Sequence, residues 1–194
     1  MNPGAPRSYD QVVVVSGHMI DRPDRDTPRF PASAEANVTL ALRRQLEVWR
    51  VNSGTLLLSG GARGADIVAA ELARNLGAEV WLLLPEPPGA FVASSVAIDG
   101  TAWTHRFERL RSHVTTLVQD DELGPLAPGE NRYERNNRWL LETGRAHAPP
   151  NDLRIVVVWD NERADGPGGT QDFIERAITL DAEIALLDPG SSNT

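Results

Sequence analysis

The sequence predicts an α/β protein with a Rossmann-like, doubly wound, mostly parallel sheet of about six strands. Two patterns lead to this prediction. Six short apolar runs alternate with segments of helical periodicity along the chain. Within the runs the apolar residues are consecutive, as they are in parallel strands that are covered on both faces. The stretches between runs are long enough for the right-handed helical crossovers that join parallel strands.

The predicted elements follow in chain order. The strands are residues 11–16, 55–59, 80–84, 115–118, 154–159 and 183–187. The helices are residues 34–49, 65–76, 133–142 and 170–180. The helical periodicity is clearest in the first helix, where Ala34, Val38, Leu42 and Leu46 recur at helical spacing with charged residues between them.

Two segments are predicted to be loops, namely residues 18–33 and 120–130, which contain Pro, Gly and many charged residues. The first of these follows a strand directly, at the edge where α/β proteins bind ligands. We expect one domain over residues 10–188, with flexible ends at 1–9 and 189–194.

The composition excludes several kinds of chemistry. The 194 residues include 19 basic and 27 acidic side chains, so the formal net charge is 19 − 27 = −8. All basic residues are Arg, and the chain has no Cys. A lysine P-loop, a Schiff-base lysine, a cysteine nucleophile, a thiolate zinc site and a disulfide are therefore excluded. The four histidines are scattered without ligand spacing, so we predict neither a metal site nor a cofactor.

The same features bear on location and partners. The start of the chain lacks the apolar stretch of a signal peptide, and no apolar run is long enough to cross a bilayer. We therefore expect a cytoplasmic protein without membrane association. The acidic balance disfavours nucleic acid as a partner, because nonspecific DNA binding requires a basic face.

A glycine-rich turn joins the second strand to the second helix, with the sequence Ser59-Gly60-Gly61-Ala62-Arg63-Gly64-Ala65-Asp66. Glycines at such a turn let the backbone approach a ligand, and the start of the following helix favours an anion. We predict ligand binding by Ser59, Gly60, Gly61, Arg63, Gly64 and Asp66. The alternative is a plain turn in which Asp66 caps the helix.

A second glycine turn follows the fifth strand, over residues 160–170. It places Gly168, Gly169 and Thr170 at a helix start and Asp160 at a strand end, so we predict that all four bind ligand. Two such turns at one edge of a parallel sheet point to a shared crevice.

Two further groups complete the predicted site. Arg135 offers a planar fork for phosphate, and Asn136 offers a donor and an acceptor for a ribose or a base; the alternative is a solvated helix face. Ser16, Gly17 and His18 follow the first strand. Gly17 permits close approach, and His18 is either a proton carrier or a hydrogen-bonded loop residue.

The turn Ser59 to Asp66 resembles the glycine motif of the SLOG superfamily. These Rossmann-like proteins include the DNA-processing protein A group, the YspA-like branch and the Lonely Guy (LOG) phosphoribohydrolases. The pair Arg135-Asn136 resembles a motif of the YspA-like branch, and residues 166–170 resemble the phosphate turn of the LOG branch. The resemblance implies a nucleotide or nucleotide-derived phosphate ligand, bound by a sensor or binding domain, and a homodimer.

The alternative implied by the resemblance is a LOG-like phosphoribohydrolase, which cleaves the bond between base and ribose of a nucleoside 5'-monophosphate. The LOG enzymes have a Glu three residues after the motif Thr, where this chain has Phe173. Asp172 and Glu175 are the neighbouring candidates for a catalytic carboxylate. One residue along a helix is a rotation of about 100° and two residues about 200°, so neither takes over the role by default.

Overall fold

The computed structural model describes residues 8–162 and 168–190. Its strands are β1 (Gln11–Gly17), β2 (Thr55–Ser59), β3 (Glu79–Leu84), β4 (Thr115–Val118), β5 (Leu153–Val158) and β6 (Glu183–Leu187). Its α-helices are α1 (Glu35–Val48), α2 (Ala65–Asn75), α3 (Pro88–Phe91), α4 (Trp103–Arg111), α5 (Gln119–Leu123), α6 (Arg132–His147) and α7 (Thr170–Ala177). A 3₁₀ turn at Ala32–Ala34 precedes α1, and a π-helix at Val92–Val96 follows α3.

The strands form one parallel sheet in the order β4-β3-β2-β1-β5-β6. The predicted Rossmann-like α/β fold is confirmed, and each predicted strand matches an observed one to within one residue at either end. The chain winds outward from β1 to β4 and then returns to the other side of β1 with β5 and β6. The winding therefore reverses between β1 and β5, and a reversal of this kind opens a ligand crevice at the carboxyl ends of the strands.

Apolar cores lie on both faces of the sheet, and β1 shows why its apolar residues are consecutive. Val13 and Val15 pack into the core under α1, α2 and α4. Val12 and Val14 pack into the core under α6 and α7. Because side chains alternate between the faces of a strand, a strand covered on both sides needs an apolar residue at every position.

The helices agree less closely with the sequence prediction. Helices α1, α2, α6 and α7 correspond to the predicted ones, but α6 continues to His147 and α7 ends at Ala177. Helices α3, α4 and α5 are additional. The loop predicted over residues 120–130 is wrong at its start, where α5 has Asp120, Asp121 and Glu122 in its first turn. Acidic side chains stabilise a helix N-terminus, which explains this short helix.

The chain ends lie mainly outside the described residues. Tyr9, which falls in the N-terminal segment predicted to be flexible, is buried in the core under α6 and α7. Residues 163–167 of the predicted second turn also lie outside the described part. Among the residues that the structure describes, no helix is both long and apolar enough to cross a bilayer.

Candidate functional site

A cavity of about 720 Å³ opens at the carboxyl edge of the sheet. Its walls come from the loop after β1, the turn between β2 and α2, the π-helix, α6 and the start of α7. The structure brings ten predicted ligand-binding residues together there: Ser16, Gly17, His18, Gly60, Arg63, Asp66, Asn136, Gly168, Gly169 and Thr170.

The first glycine turn (residues 59–66) packs closely against the loop after β1. Gly64 has φ +98°, and a Cβ built on it would lie 2.6 Å from the Ile20 nitrogen and 2.8 Å from the His18 oxygen. The backbone nitrogen of Ala65 donates to that same oxygen at 3.3 Å. Only glycine combines this left-handed conformation with such a close approach, so the motif fixes the start of α2 against β1.

Arg63 is the buried cation of the cavity, with 5% of its surface exposed. Its Nε donates to the Ile20 carbonyl oxygen at 3.0 Å. Its Nη1 is buried and has no hydrogen-bond partner among the described residues. Burial lowers the pKa of Arg63, and the nearby Arg22 adds to this effect, but an arginine side chain keeps its charge in proteins. The cavity therefore presents a charged donor to an anion.

Asp66 and Asn136 place two buried oxygens at the cavity wall. Asp66 Oδ2 accepts from the Ala62 nitrogen at 3.3 Å, and Asn136 Nδ2 donates to the Leu83 oxygen at 3.1 Å. The Oδ1 atoms of both residues lack a hydrogen-bond partner in the described part of the chain. Burial raises the pKa of Asp66 to about 7, against backbone hydrogen bonds that lower it. Buried polar atoms without partners are rare, so this region is suited to a polar ligand group.

The buried His18 and the partly buried Asp160 form a pair where the ends of β1 and β5 meet. His18 Nε2 lies 2.8 Å from Asp160 Oδ1, and Arg29 Nε donates to Asp160 Oδ2 at 3.0 Å. Burial would raise the pKa of Asp160, but the hydrogen bonds from Arg29 and His18 bring it to about 2. The carboxylate is thus ionised at neutral pH, and it stabilises the orientation of the imidazole.

The imidazole itself remains neutral more readily than a free histidine. Burial lowers the pKa of His18 below its usual 6.5, although the Asp160 carboxylate opposes this shift. His18 has 7% of its surface exposed and lines the cavity. It is therefore a base that a ligand can reach from one side only.

The second glycine turn (residues 168–170 of the described chain) is fixed by α6. Gly168 has φ +78°, and a Cβ built on it would lie 2.7 Å from the Glu134 nitrogen. Asn137 Nδ2 donates to the Gly168 oxygen at 3.1 Å. Thr170 begins α7, and its Oγ1 lies 3.4 Å from His18 Nδ1. The turn therefore places a helix N-terminus and a hydroxyl group beside the imidazole.

Several predicted site residues lie behind the cavity rather than on its wall. Ser59, Gly61 and Gly64 shape the first glycine turn, where Ser59 Oγ accepts from the Gly61 nitrogen at 3.1 Å. Asp160 contacts the imidazole of His18. These residues support the lining without forming part of it.

Arg135 also lies off the cavity lining. Its Nη2 donates to the Gly124 oxygen at 2.8 Å, and its guanidinium lies 3.8 Å from Asp120 and 3.9 Å from Glu130. The fork that the sequence suggested for phosphate thus faces the segment between α5 and α6.

The structure does not bring the two predicted catalytic carboxylates to the cavity lining. Asp172 Oδ2 accepts from Asn137 Nδ2 at 2.9 Å, and Asp172 Oδ1 accepts from Arg176 Nε at 2.9 Å. Glu175 is on an exposed part of α7 and accepts from Gln171 Nε2 at 2.8 Å. Asp172 thus makes contacts within α7 and with α6, and Glu175 makes one within α7.

Other cavity residues were not predicted individually. Arg29 and Asp21 come from the loop after β1, where Asp21 Oδ2 accepts from the backbone nitrogens of Arg29 and Phe30 at 2.8 Å. Ser94 and Ser95 come from the π-helix. The alternating Asp and Arg residues of the loop were the available signal for the first pair. The sequence contains no comparable signal for a π-helix.

Solved structures with a similar fold were found. The chain aligns with the X-ray structure of DNA processing protein A from Streptococcus pneumoniae at a TM-score of 0.50 and 15% identity, over 95% of this chain. The fold resembles that of DNA processing protein A. The chain spans about half of that protein, 52% of its length. At 15% identity the likeness shows the fold alone, and it agrees with the predicted Rossmann-like architecture.

A further alignment is with the Moco carrier protein from Chlamydomonas reinhardtii. The TM-score is 0.43 and the identity 16%, over 92% of this chain and 76% of that protein. No family model matches the chain, and no curated protein sequence matches it.

Proposed function

We propose that the cavity binds a nucleotide or nucleotide-derived phosphate compound, and that the chain is a ligand-binding protein of the SLOG type. The observation that supports this most directly is Arg63. Its guanidinium is buried at the cavity wall, and its Nη1 has no partner among the described residues. The Nε of Arg63 donates to the Ile20 oxygen, but a buried charged group with an unpaired nitrogen is costly, so an anionic ligand group would stabilise the site.

The ends of two helices add to this attraction for an anion. Helix α2 begins at Ala65 and α7 begins at Thr170, and residues at both starts line the same cavity. A helix N-terminus presents backbone N–H groups and a partial positive charge. Two such ends and Arg63 on one cavity suit a ligand with phosphate groups.

Other residues of the cavity lining suit the rest of a nucleotide. Phe91 and Leu140 provide apolar surface, whereas Ser94, Ser95 and Asn136 provide polar groups. Small-molecule sites combine apolar walls with a few placed polar groups in this manner, at volumes of about 300–1,000 Å³. The 720 Å³ cavity lies in that range.

Isothermal titration calorimetry with AMP, ADP, NAD and ADP-ribose tests the proposal. We expect at least one to bind, and we expect Arg63→Gln to weaken its binding about 10- to 100-fold, because a hydrogen bond to a charged group contributes about 1.5–3 kcal/mol. Arg63→Lys keeps the charge but not the forked geometry, so its affinity should lie between those of the wild type and Arg63→Gln. Arg43→Gln on the exposed face of α1 is the matched control.

Two results would overturn the proposal. One is the absence of binding across the panel by protein whose circular dichroism shows that it is folded. The other is equal affinity in wild type and both Arg63 variants. Binding of a single-stranded oligonucleotide instead of the small molecules would indicate a DNA-processing module.

The alternative, a phosphoribohydrolase, requires a carboxylate near the ribose. Since Asp172 and Glu175 lie off the cavity lining, Asp66 is the carboxylate of the predicted set that remains on the wall. Chromatography of AMP after long incubation tests this version, because free adenine would support it. Glu175→Gln should leave any such activity unchanged.

A further inference from the structure

His18 lies between the two anion-binding turns. In the sheet, β1 has β2 on one side and β5 on the other. The first glycine turn follows β2, and the second precedes α7 beyond β5. The His18 carbonyl contacts the start of α2 through the Ala65 nitrogen, and its ring contacts Thr170 at the start of α7. A ligand with one phosphate on each turn would therefore have its bridging oxygen beside this imidazole.

The neighbours of His18 determine which ring nitrogen is free to act as a base. The Asp160 carboxylate is ionised at neutral pH and can only accept, so Nε2 donates to it across 2.8 Å. The Asp160 backbone N–H is also directed at Nε2, across 3.3 Å, but the shorter contact with the carboxylate decides the tautomer. Nδ1 then bears the lone pair. The Thr170 hydroxyl, 3.4 Å away, shows that this nitrogen lies within reach of the second glycine turn.

We propose that this cavity hydrolyses the phosphoanhydride bond of a nucleotide ligand, with His18 as the general base and Asp160 as the residue that positions it. The inference rests on the proposed nucleotide binding. A water oxygen forms a bond to phosphorus while the bond from phosphorus to the bridging oxygen breaks. The water proton moves to His18 Nδ1, and the bridging oxygen leaves on the other phosphate product. The imidazolium then releases the proton to solvent.

The bases and positive charges on the cavity wall indicate which class of reaction the cavity supports. A leaving phosphate is a stable anion near neutral pH, so the cleavage of an anhydride needs a base but no acid to protonate the leaving oxygen. The cavity supplies an imidazole base in His18, and Arg63 supplies positive charge nearby. Stabilising the charge that develops on phosphoryl oxygens is the main task in such transfers.

The charges around His18 predict the pH dependence. Asp160 follows β5, whereas Arg29 and Asp21 belong to the loop after β1, and Arg63 and Asp66 face the same cavity from the first glycine turn. The base must be neutral, and burial lowers the pKa of His18 below 6.5. We therefore expect kcat/KM to rise with pH through a midpoint below 6.5, and then to fall as Asp66 ionises near pH 7 and repels the phosphates.

The experiment pairs binding with turnover. Each of ADP, ATP, NAD and ADP-ribose is titrated by calorimetry and then incubated with the protein in H₂¹⁸O. The products are separated by chromatography, and their masses are measured by mass spectrometry. We expect a ligand that binds to be cleaved, with one ¹⁸O in one phosphate product. His18→Gln should bind this ligand, but its turnover should fall about 100- to 10,000-fold. Its kcat/KM should also no longer show the rise with pH. Asp160→Asn, which has nearly the same shape, should also lower kcat. The control is His105→Gln, at an exposed position of α4.

The outcomes separate the two proposals. A ligand that binds but remains intact overturns the hydrolysis inference and leaves the binding proposal in place. Turnover that is unchanged in His18→Gln and Asp160→Asn, or release of free base in place of phosphate products, also overturns it. Absence of binding across the panel overturns both proposals. If His18→Gln fails to fold, Asp160→Asn and the pH profile of the wild type decide.

Discussion

The two glycine turns face the same cavity but are fixed by different parts of the molecule. The first packs against the residues after β1, where the Ile20 nitrogen donates to the Arg63 oxygen at 3.3 Å. The second packs against α6, where Asn137 Nδ2 contacts the oxygens of Gly168 and Gly169. One turn is thus attached to the centre of the sheet and the other to a covering helix.

Their chemistry differs as well. The first glycine turn supplies a buried cation, Arg63, and a buried acid, Asp66. The second supplies the hydroxyl of Thr170 beside the imidazole of His18. The comparison teaches that a glycine turn before a helix provides only the general attraction for an anion. The side chains next to it decide whether that anion is merely bound or also meets a base.

The largest effect is expected where the first turn contacts β1. In Gly64→Ala, the new methyl group would lie 2.6 Å from the Ile20 nitrogen at φ +98°. Strain and overpacking together should lower the free energy of unfolding by about 3 kcal/mol. Urea denaturation measures this, with Gly89→Ala as the control, because a Cβ at Gly89 meets no described atom within 4 Å. Equal stability of the two variants would show that the first turn is not rigidly packed.

An effect of intermediate size is expected from Asp66 of the first turn, which makes the free energy of unfolding depend on pH. Its pKa is about 7 in the folded protein against an ordinary 3.8. Between these values the folded state binds more protons than the unfolded state, so Asp66 favours folding at low pH. This contribution is complete below about pH 4 and is lost as the pH rises through 7.

The test compares wild type with Asp66→Asn in urea at pH 5 and pH 8. One pKa unit corresponds to about 1.4 kcal/mol, so the wild type should lose about 2 kcal/mol more than the variant between these pH values. Both proteins contain the other titratable groups, such as His18, so the contributions of those groups cancel in the comparison. Parallel pH profiles for the two proteins would mean that Asp66 is not desolvated in the folded state.

The smallest effect is expected at the second turn. Asn137→Ala removes the donor to the Gly168 and Gly169 oxygens and to Asp172. We expect a loss of about 1 kcal/mol in the free energy of unfolding, together with weaker ligand binding. Arg145→Ala, at an exposed position of the same helix, should change neither. If Asn137→Ala leaves ligand binding unaltered, α6 does not position the second turn.

The sheet could be predicted from the sequence because its signal is local. Each strand reads as a short apolar run, and burial on both faces of β1 requires this pattern at every position from Val12 to Val15. Helix α4 was missed although Trp103, Phe107 and Leu110 follow helical spacing and are buried. Its many charged residues obscure the apolar stripe over only nine residues.

The site was less accessible to prediction, because pairing between distant residues leaves no mark on sequence spacing. His18 and Asp160 were both predicted as ligand-binding residues, but their 2.8 Å contact arises from the pairing of β1 with β5. The direction of Arg135 could not be predicted for a related reason. Which face of α6 meets the cavity depends on how the helix packs on the sheet, and this rotation turns Arg135 toward Gly124.

The strand order also sets the sequence of events during synthesis. β1 ends at Gly17 and its neighbour β5 begins at Leu153, so 153 − 17 − 1 = 135 residues lie between them. At about 5–20 residues per second, a ribosome needs roughly seven to thirty seconds to make this stretch. During that time one edge of the valine-rich β1 has no partner strand and is open to aggregation or to a chaperone. Asp160 and Thr170 are synthesised later still, so the cavity can form only after β5 and the start of α7 have been made.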